Sequence, residues 1–231
     1  IPARANRWSR MSPEPSEHEP PAQLPRRGPS PVSGITPAEI QEAYLKRSIA
    51  EIESLNRQIL ECPRCSPSDQ LPVLASGSPQ AEIMMVKWSA SLAERQEGVA
   101  FFGRAGTAVL KSVQRLGIDP VTIYGTLAVK CGHLPDVDAA RLCPPWLADE
   151  IAIVMPKLVV PMGERALDAL NHLAYPMAEP LRTEPGAVQR WTPTIDALFV
   201  PDIDESLDEQ NAKREFWAAF RAIGDWHEAQ P

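Results

Sequence analysis

The chain has 231 residues, 44% of them hydrophobic, which is enough for one core of roughly 190 residues with a tail. Its formal net charge is −7, and beyond residue 35 eighteen basic residues face twenty-seven acidic ones, a balance unsuited to gripping a polyanion through overall charge. No apolar run is long enough to span a membrane and no signal peptide is legible, so the expectation is a cytoplasmic protein with no membrane partner.

Residues 1–35 hold eight prolines and few large apolar side chains. Such a segment cannot repay the entropy of ordering, and a disordered leader is expected there, ahead of one folded domain over 36–226. Met11 opens the stretch Met-Ser-Pro-Glu-Pro, so a translation start at that residue is a further expectation. From Thr36 the pattern becomes helical. Thr36, Pro37 and Glu39 read as N-cap, N1 and N3, and Ile40, Tyr44, Leu45, Ile49, Ile52, Leu55 and Ile59 recur at helical spacing until Glu61.

Downstream, the spacing predicts a strand over 81–86, a helix over 103–116 and a strand over 121–129. A helix over 139–154, a strand over 157–160 and a helix over 163–173 follow. A strand over 197–200 and an amphipathic helix over 209–223 close the series. Strands alternating with helices imply an α/β fold, a three-layer α/β/α sandwich around a mostly parallel central sheet.

The four cysteines are Cys62, Cys65, Cys131 and Cys143, a close pair at the end of the first helix and two distant partners. Four thiolates suit a [4Fe-4S] cluster or a tetrahedral zinc ion, and either would fasten a helix end to later segments. Two disulfides are the alternative, and a domain of this size and expected compartment has little need of them.

The order of features resembles the family 4 uracil-DNA glycosylases, the iron-sulfur branch of that superfamily, from about residue 55 to residue 217. The matching motifs are Cys62-x2-Cys65, Gly98-x2-Phe101-Phe-Gly-Arg-Ala-Gly106, Val129-Lys-Cys131, Cys143-Pro-Pro-Trp-Leu147, and Pro156-Lys-Leu-Val-Val160 followed by Met162-Gly-Glu-Arg-Ala166. The resemblance implies a [4Fe-4S] cluster on Cys62, Cys65, Cys131 and Cys143 in preference to zinc. It also implies a pocket in which a flipped uracil stacks on an aromatic ring, here Phe101, while an amide reads its edge and the departing anion is stabilised. In the family arrangement Arg104 and Lys130 would contact phosphate, and Arg182, in Leu181-Arg182, resembles another family position.

The catalytic positions depart from the family. Where it carries Gly-Glu-x-Pro-Gly, this chain reads Lys87-Trp88-Ser89-Ala90-Ser91, so Trp88 replaces the water-positioning acid and its ring is expected to fill the space that water needs. Glu94 and Glu97 lie nearby, with nothing in the sequence to aim either at a sugar. Leu127 replaces the Asn that reads the base, and Val200 replaces the His of a His-Pro-Ser loop. None of the four histidines falls there. The run 202–210 adds five acidic residues and no basic one, which disfavours DNA whether it is a solvated helix-capping turn or a binding loop.

With three catalytic positions altered together, the expectation is a glycosylase-fold iron-sulfur protein that has lost base excision and kept its scaffold for binding, either of an unidentified protein partner or of some other ligand in the remodelled pocket. An active uracil or deaminated-base glycosylase using other residues, and a zinc-stabilised binding module, are the competing readings.

Overall fold

The computed structural model describes residues 36–64, 71–131 and 143–230, which leaves the predicted leader, Cys65 and the start of the predicted 139–154 helix outside the described residues. The chain divides into two compact units, Ile1–Thr36 and Pro37–Pro231, and the architecture below is that of the second.

The first helix, α1, spans Pro37–Leu60. Its apolar periodicity produced the expected helix, yet only Leu55 and Ile59 are buried. Ile40, Tyr44, Leu45 and Ile49 are exposed. Six strands follow: β1 Ser76–Gly77, β2 Ile83–Lys87, β3 Ile123–Leu127, β4 Leu158–Met162, β5 Val188–Arg190 and β6 Asp196–Leu198. Between and after them lie α2 Leu92–Glu97, α3 Arg104–Arg115, α4 Pro144–Val154, α5 Glu164–Asn171, α6 Ile203–Ser206 and α7 Gln210–Glu228.

The strands form one sheet in the order β1-β3-β2-β4-β6-β5. The four central strands are parallel, and β1 and β5 close the two edges antiparallel. Burial on both faces explains the continuous apolar runs of β2 and β4, all of whose residues are buried. Side chains alternate between two cores. Met84, Val86, Tyr124 and Val159 pack on one face with Leu147 and Ile151 of α4 and Leu167 and Leu170 of α5. Ile83, Met85, Val160 and Leu198 pack on the other with Val109 and Val113 of α3 and Phe216 and Phe220 of α7. The result is the expected three-layer α/β/α sandwich. Among the described residues no helix is long and apolar enough to cross a membrane.

Candidate functional site

The sheet reverses its winding between β2 and β4, and the crevice beyond the carboxyl ends of such strands is where open α/β sheets place ligands. Register sets the floor of that crevice. Lys87 pairs with Leu127 on one side and Met162 on the other, and Met162 bridges to Val200. Registered neighbours in a sheet share a face, so Leu127, Lys87, Met162 and Val200 form one row above the α3 and α7 side. Trp88, one residue on, belongs to the opposite face.

Lys87 dominates this row. Its side chain is 3% exposed, and its Nζ lies 2.8 Å from Glu94 Oε2 and 2.6 Å from Asp204 Oδ2. The Glu94 carboxylate, fully buried, also accepts hydrogen bonds from the backbone N–H of Ser91 at 2.7 Å and of Phe101 at 2.6 Å. Ser91 and Glu94 form a reciprocal capping box at the start of α2, which fixes the carboxylate. A charged lysine buried this deeply is stable only because both carboxylates and the backbone donors complete the network.

Phe101 sits against this triad, half-buried, with the Lys87 ammonium 5.7 Å from its ring centroid. The backbone of Phe101 is held at φ 58°, in the left-handed region, by the Glu94 bond to its N–H. Two glycines make room for it. A Cβ on Gly106 would meet the Phe101 carbonyl oxygen at 1.5 Å, and one on Gly125 would meet the ring at 2.5 Å.

The residues singled out in the sequence are distributed as follows. Leu127 is fully buried in a small cluster with Val73, Ala90 and Ala100, which Phe101 also touches. Val200 is fully buried in the α3 and α7 core. Trp88 departs from expectation, because strand alternation turns it into the other core, where the Arg165 guanidinium lies 4.5 Å from its ring centroid. The side chain beside Phe101 is Lys87 instead. Lys130, expected near phosphate, is 1% exposed and bound to both oxygens of Glu150, at 2.8 and 2.7 Å, and to Thr126. Buried in this way, it cannot meet a nucleic acid. Arg104 is exposed and bound to Asp208 at 2.8 Å, and Arg182 is exposed and paired with Glu184. Glu97 ends α2 at the surface, outside the triad. His172 and His227 stand at the ends of α5 and α7, and His18 and His133 lie outside the described residues.

The acidic run is a capped turn. Asp202 Oδ1 accepts from the backbone N–H of Asp204 and Glu205 at the start of α6. Burial raises the Asp202 carboxyl above its ordinary value of 3.8, against the pull of those two N–H bonds. Asp204 and Asp208 are the carboxylates held by Lys87 and Arg104, which leaves Glu205 and Glu209 as exposed charge.

Cys62, Cys131 and Cys143 each contact the start of α4, Cys131 through Cys143 and Cys62 through Trp146. Cys143 is its buried N-cap residue, and Trp146 N–H donates to the Cys143 carbonyl. A hydrogen bond with Cys131 lowers the Cys143 thiol to about 6, against a burial effect that would raise it. Cys62, at the end of α1, packs in a cluster with Leu55, Ile59 and Trp146. Arg64 lies 4.4 Å over the Trp146 ring and pins the Cys62-Pro-Arg segment to α4. None of the three described cysteines is in a disulfide. Among the described residues no group of three or more Cys, His, Asp or Glu is close enough to hold a metal ion, and Cys65 is outside them. In kind, though, a thiolate-favouring Cys143 bonded to Cys131 matches the donor chemistry of a cluster or zinc site.

Sequence reasoning passed over Lys87 and Asp204. A signal for the first was available: counting by two from Ile83 and Met85 puts residue 87, not 88, on the face toward α3. The Ser91-x-x-Glu94 spacing likewise announced a capping box. Asp204 had no local signal, since only the fold brings it to Lys87.

Comparison with known proteins bears on this arrangement. A model of the Uracil DNA glycosylase superfamily matches residues 74–221. A Type-4 uracil-DNA glycosylase of Sulfurisphaera tokodaii is 29% identical over 124 residues, covering 50% of this chain and 56% of that protein. Proteins of the same name from Pyrobaculum aerophilum and Saccharolobus solfataricus are 26% and 24% identical, over 57% and 68% of this chain and 70% and 81% of theirs. The first match thus spans little more than half of its relative. The superfamily match covers most of the folded unit, from the segment before β1 to the middle of α7, and on that ground the chain belongs to the uracil DNA glycosylase superfamily.

Proposed function

We propose that this chain keeps the superfamily scaffold and a cysteine-held cofactor but has given up base excision, and that it acts by binding. The observation that carries this reading is the Lys87 ammonium over the face of Phe101, clamped by Glu94 and Asp204. A base stacked on that face of the ring would have to displace a buried cation and strand the Glu94 carboxylate, at a cost on the order of several kcal/mol. Leu127 and Val200, both fully buried, offer no donor or acceptor for a base edge.

Cys62, Cys65, Cys131 and Cys143 would hold a [4Fe-4S] cluster, with zinc as the other occupant of a four-thiolate site. Bound there, the group would cross-link the end of α1, the segment after β3 and the start of α4. Visible charge-transfer absorbance and iron by elemental analysis identify the cluster, and zinc without colour replaces it.

A second reading, hydrolysis by unfamiliar residues, draws on the Asp204 carboxylate. At 38% side-chain exposure it is the one member of the triad that a substrate can reach. Single-turnover excision on uracil-containing single- and double-stranded DNA at low salt, with cofactor-loaded protein, separates the two. The expected result is no cleavage above the no-protein control. Cleavage abolished by Phe101→Ala would replace the binding reading with the catalytic one.

A further inference from the structure

A groove of about 380 Å³ opens between α3, α6 and the first turns of α7, on the sheet face opposite α4. Its floor is apolar, built by Ile203, Leu207, Phe216 and Trp217. Its rim is basic. Lys111 and Arg115 stand one turn apart on α3, and Lys213 and Arg214 face them from α7. All four are exposed, and among the described residues none of them is in an ion pair, whereas Arg104 at the start of α3 is bound to Asp208. A chain of net charge −7 that gathers four cations outside any ion pair around one apolar trough is complementary to an anionic and partly apolar partner.

The aromatic geometry narrows the partner. Arg115 lies 4.7 Å from the Trp217 ring centroid, and Phe220 stacks on Trp217 with centroids 6.2 Å apart. The indole is thus already engaged by a guanidinium and a ring, whereas a single-stranded nucleic acid needs a free aromatic face on which to stack a base. An amphipathic helix needs only an apolar floor for side chains at i, i+3, i+4 and i+7, with charge along its flanks. We propose that this groove docks an acidic amphipathic segment of a protein partner. The site is separate from the Lys87 triad and stands or falls independently of the function proposed above.

The test is selection of a displayed library of random peptides of about 16 residues against the full chain, followed by fluorescence anisotropy with the enriched peptides. The comparison variant is K111E/K213E, which reverses two exposed rim charges, with its thermal unfolding measured to show an intact fold. Enrichment of acidic amphipathic sequences whose affinity falls at least about tenfold in the variant, and weakens with salt, is the expected result. Enrichment without acidic residues, no enrichment at all, or acidic peptides that bind the folded variant equally well would overturn the proposal. So would displacement of the peptides by an oligothymidylate that binds more tightly and loses its affinity in K111E/K213E.

Discussion

Lys87 turns a surface cation into an internal strut. Its ammonium joins the end of β2, the start of α2 and the α6 turn through Glu94 and Asp204, so its removal strands the buried Glu94 carboxylate. Lys87→Met is expected to cost about 3–5 kcal/mol in urea unfolding at neutral pH, with partial recovery in Lys87→Met/Glu94→Gln, where the buried charge is removed as well. A loss below about 1 kcal/mol would show that the carboxylates find other compensation. Asp202 makes a prediction of opposite sign from that of most acids. Burial raises its folded-state carboxyl above 3.8, so the native chain binds the extra proton between that value and the raised one. Its contribution is complete below 3.8 and is lost as the pH rises through the folded-state value. Asp202→Asn should flatten that part of the stability profile, measured by thermal unfolding across the acidic range, and an unchanged slope would reassign the effect.

At the scale of elements, the fold was legible wherever an apolar pattern ran long enough to show its period. The helices at α1, α3 and α5, and the strands β2 and β4, lie within a few residues of their expected places because core packing on two faces dictates their side chains. The elements that went unread, β1, α2, β5 and α6, have two to six residues, too few to complete a period. The last helix runs to Glu228, five residues past its expected end, because Trp226 is buried and its indole N–H donates to Asp196 at 3.0 Å. The site followed the same divide. The substitutions at Leu127 and Val200 were readable from local sequence, whereas the Lys87–Asp204 pair depends on the crossover from β6 into α6. Ile59, fully buried where α1 packs against Trp146 and Ile153 of α4, tests how the cysteine-bearing end is held. Ile59→Ala should lose about 2–5 kcal/mol and lower the iron content of protein reconstituted anaerobically, and full stability with full iron would detach α1 from that role.

For the molecule as a whole, a cofactor on the four cysteines would link segments far apart in sequence. Cys131→Ala should therefore lower the unfolding midpoint of the whole cofactor-loaded domain, not merely loosen one loop, and chelation of the native protein should do the same. A variant with an unchanged midpoint would remove the cysteines from any structural assignment. Charge is also arranged at this scale: Lys87 and Arg104 each hold one carboxylate of the acidic turn, while Lys111 and Arg115 of α3 and Lys213 and Arg214 of α7 are exposed. The sheet, finally, ends on both sides in antiparallel strands of only two and three residues. Edges that short present too few free N–H and C=O groups to template a further strand. Among the described residues, neighbouring copies thus find no rail along which to zip into ribbons.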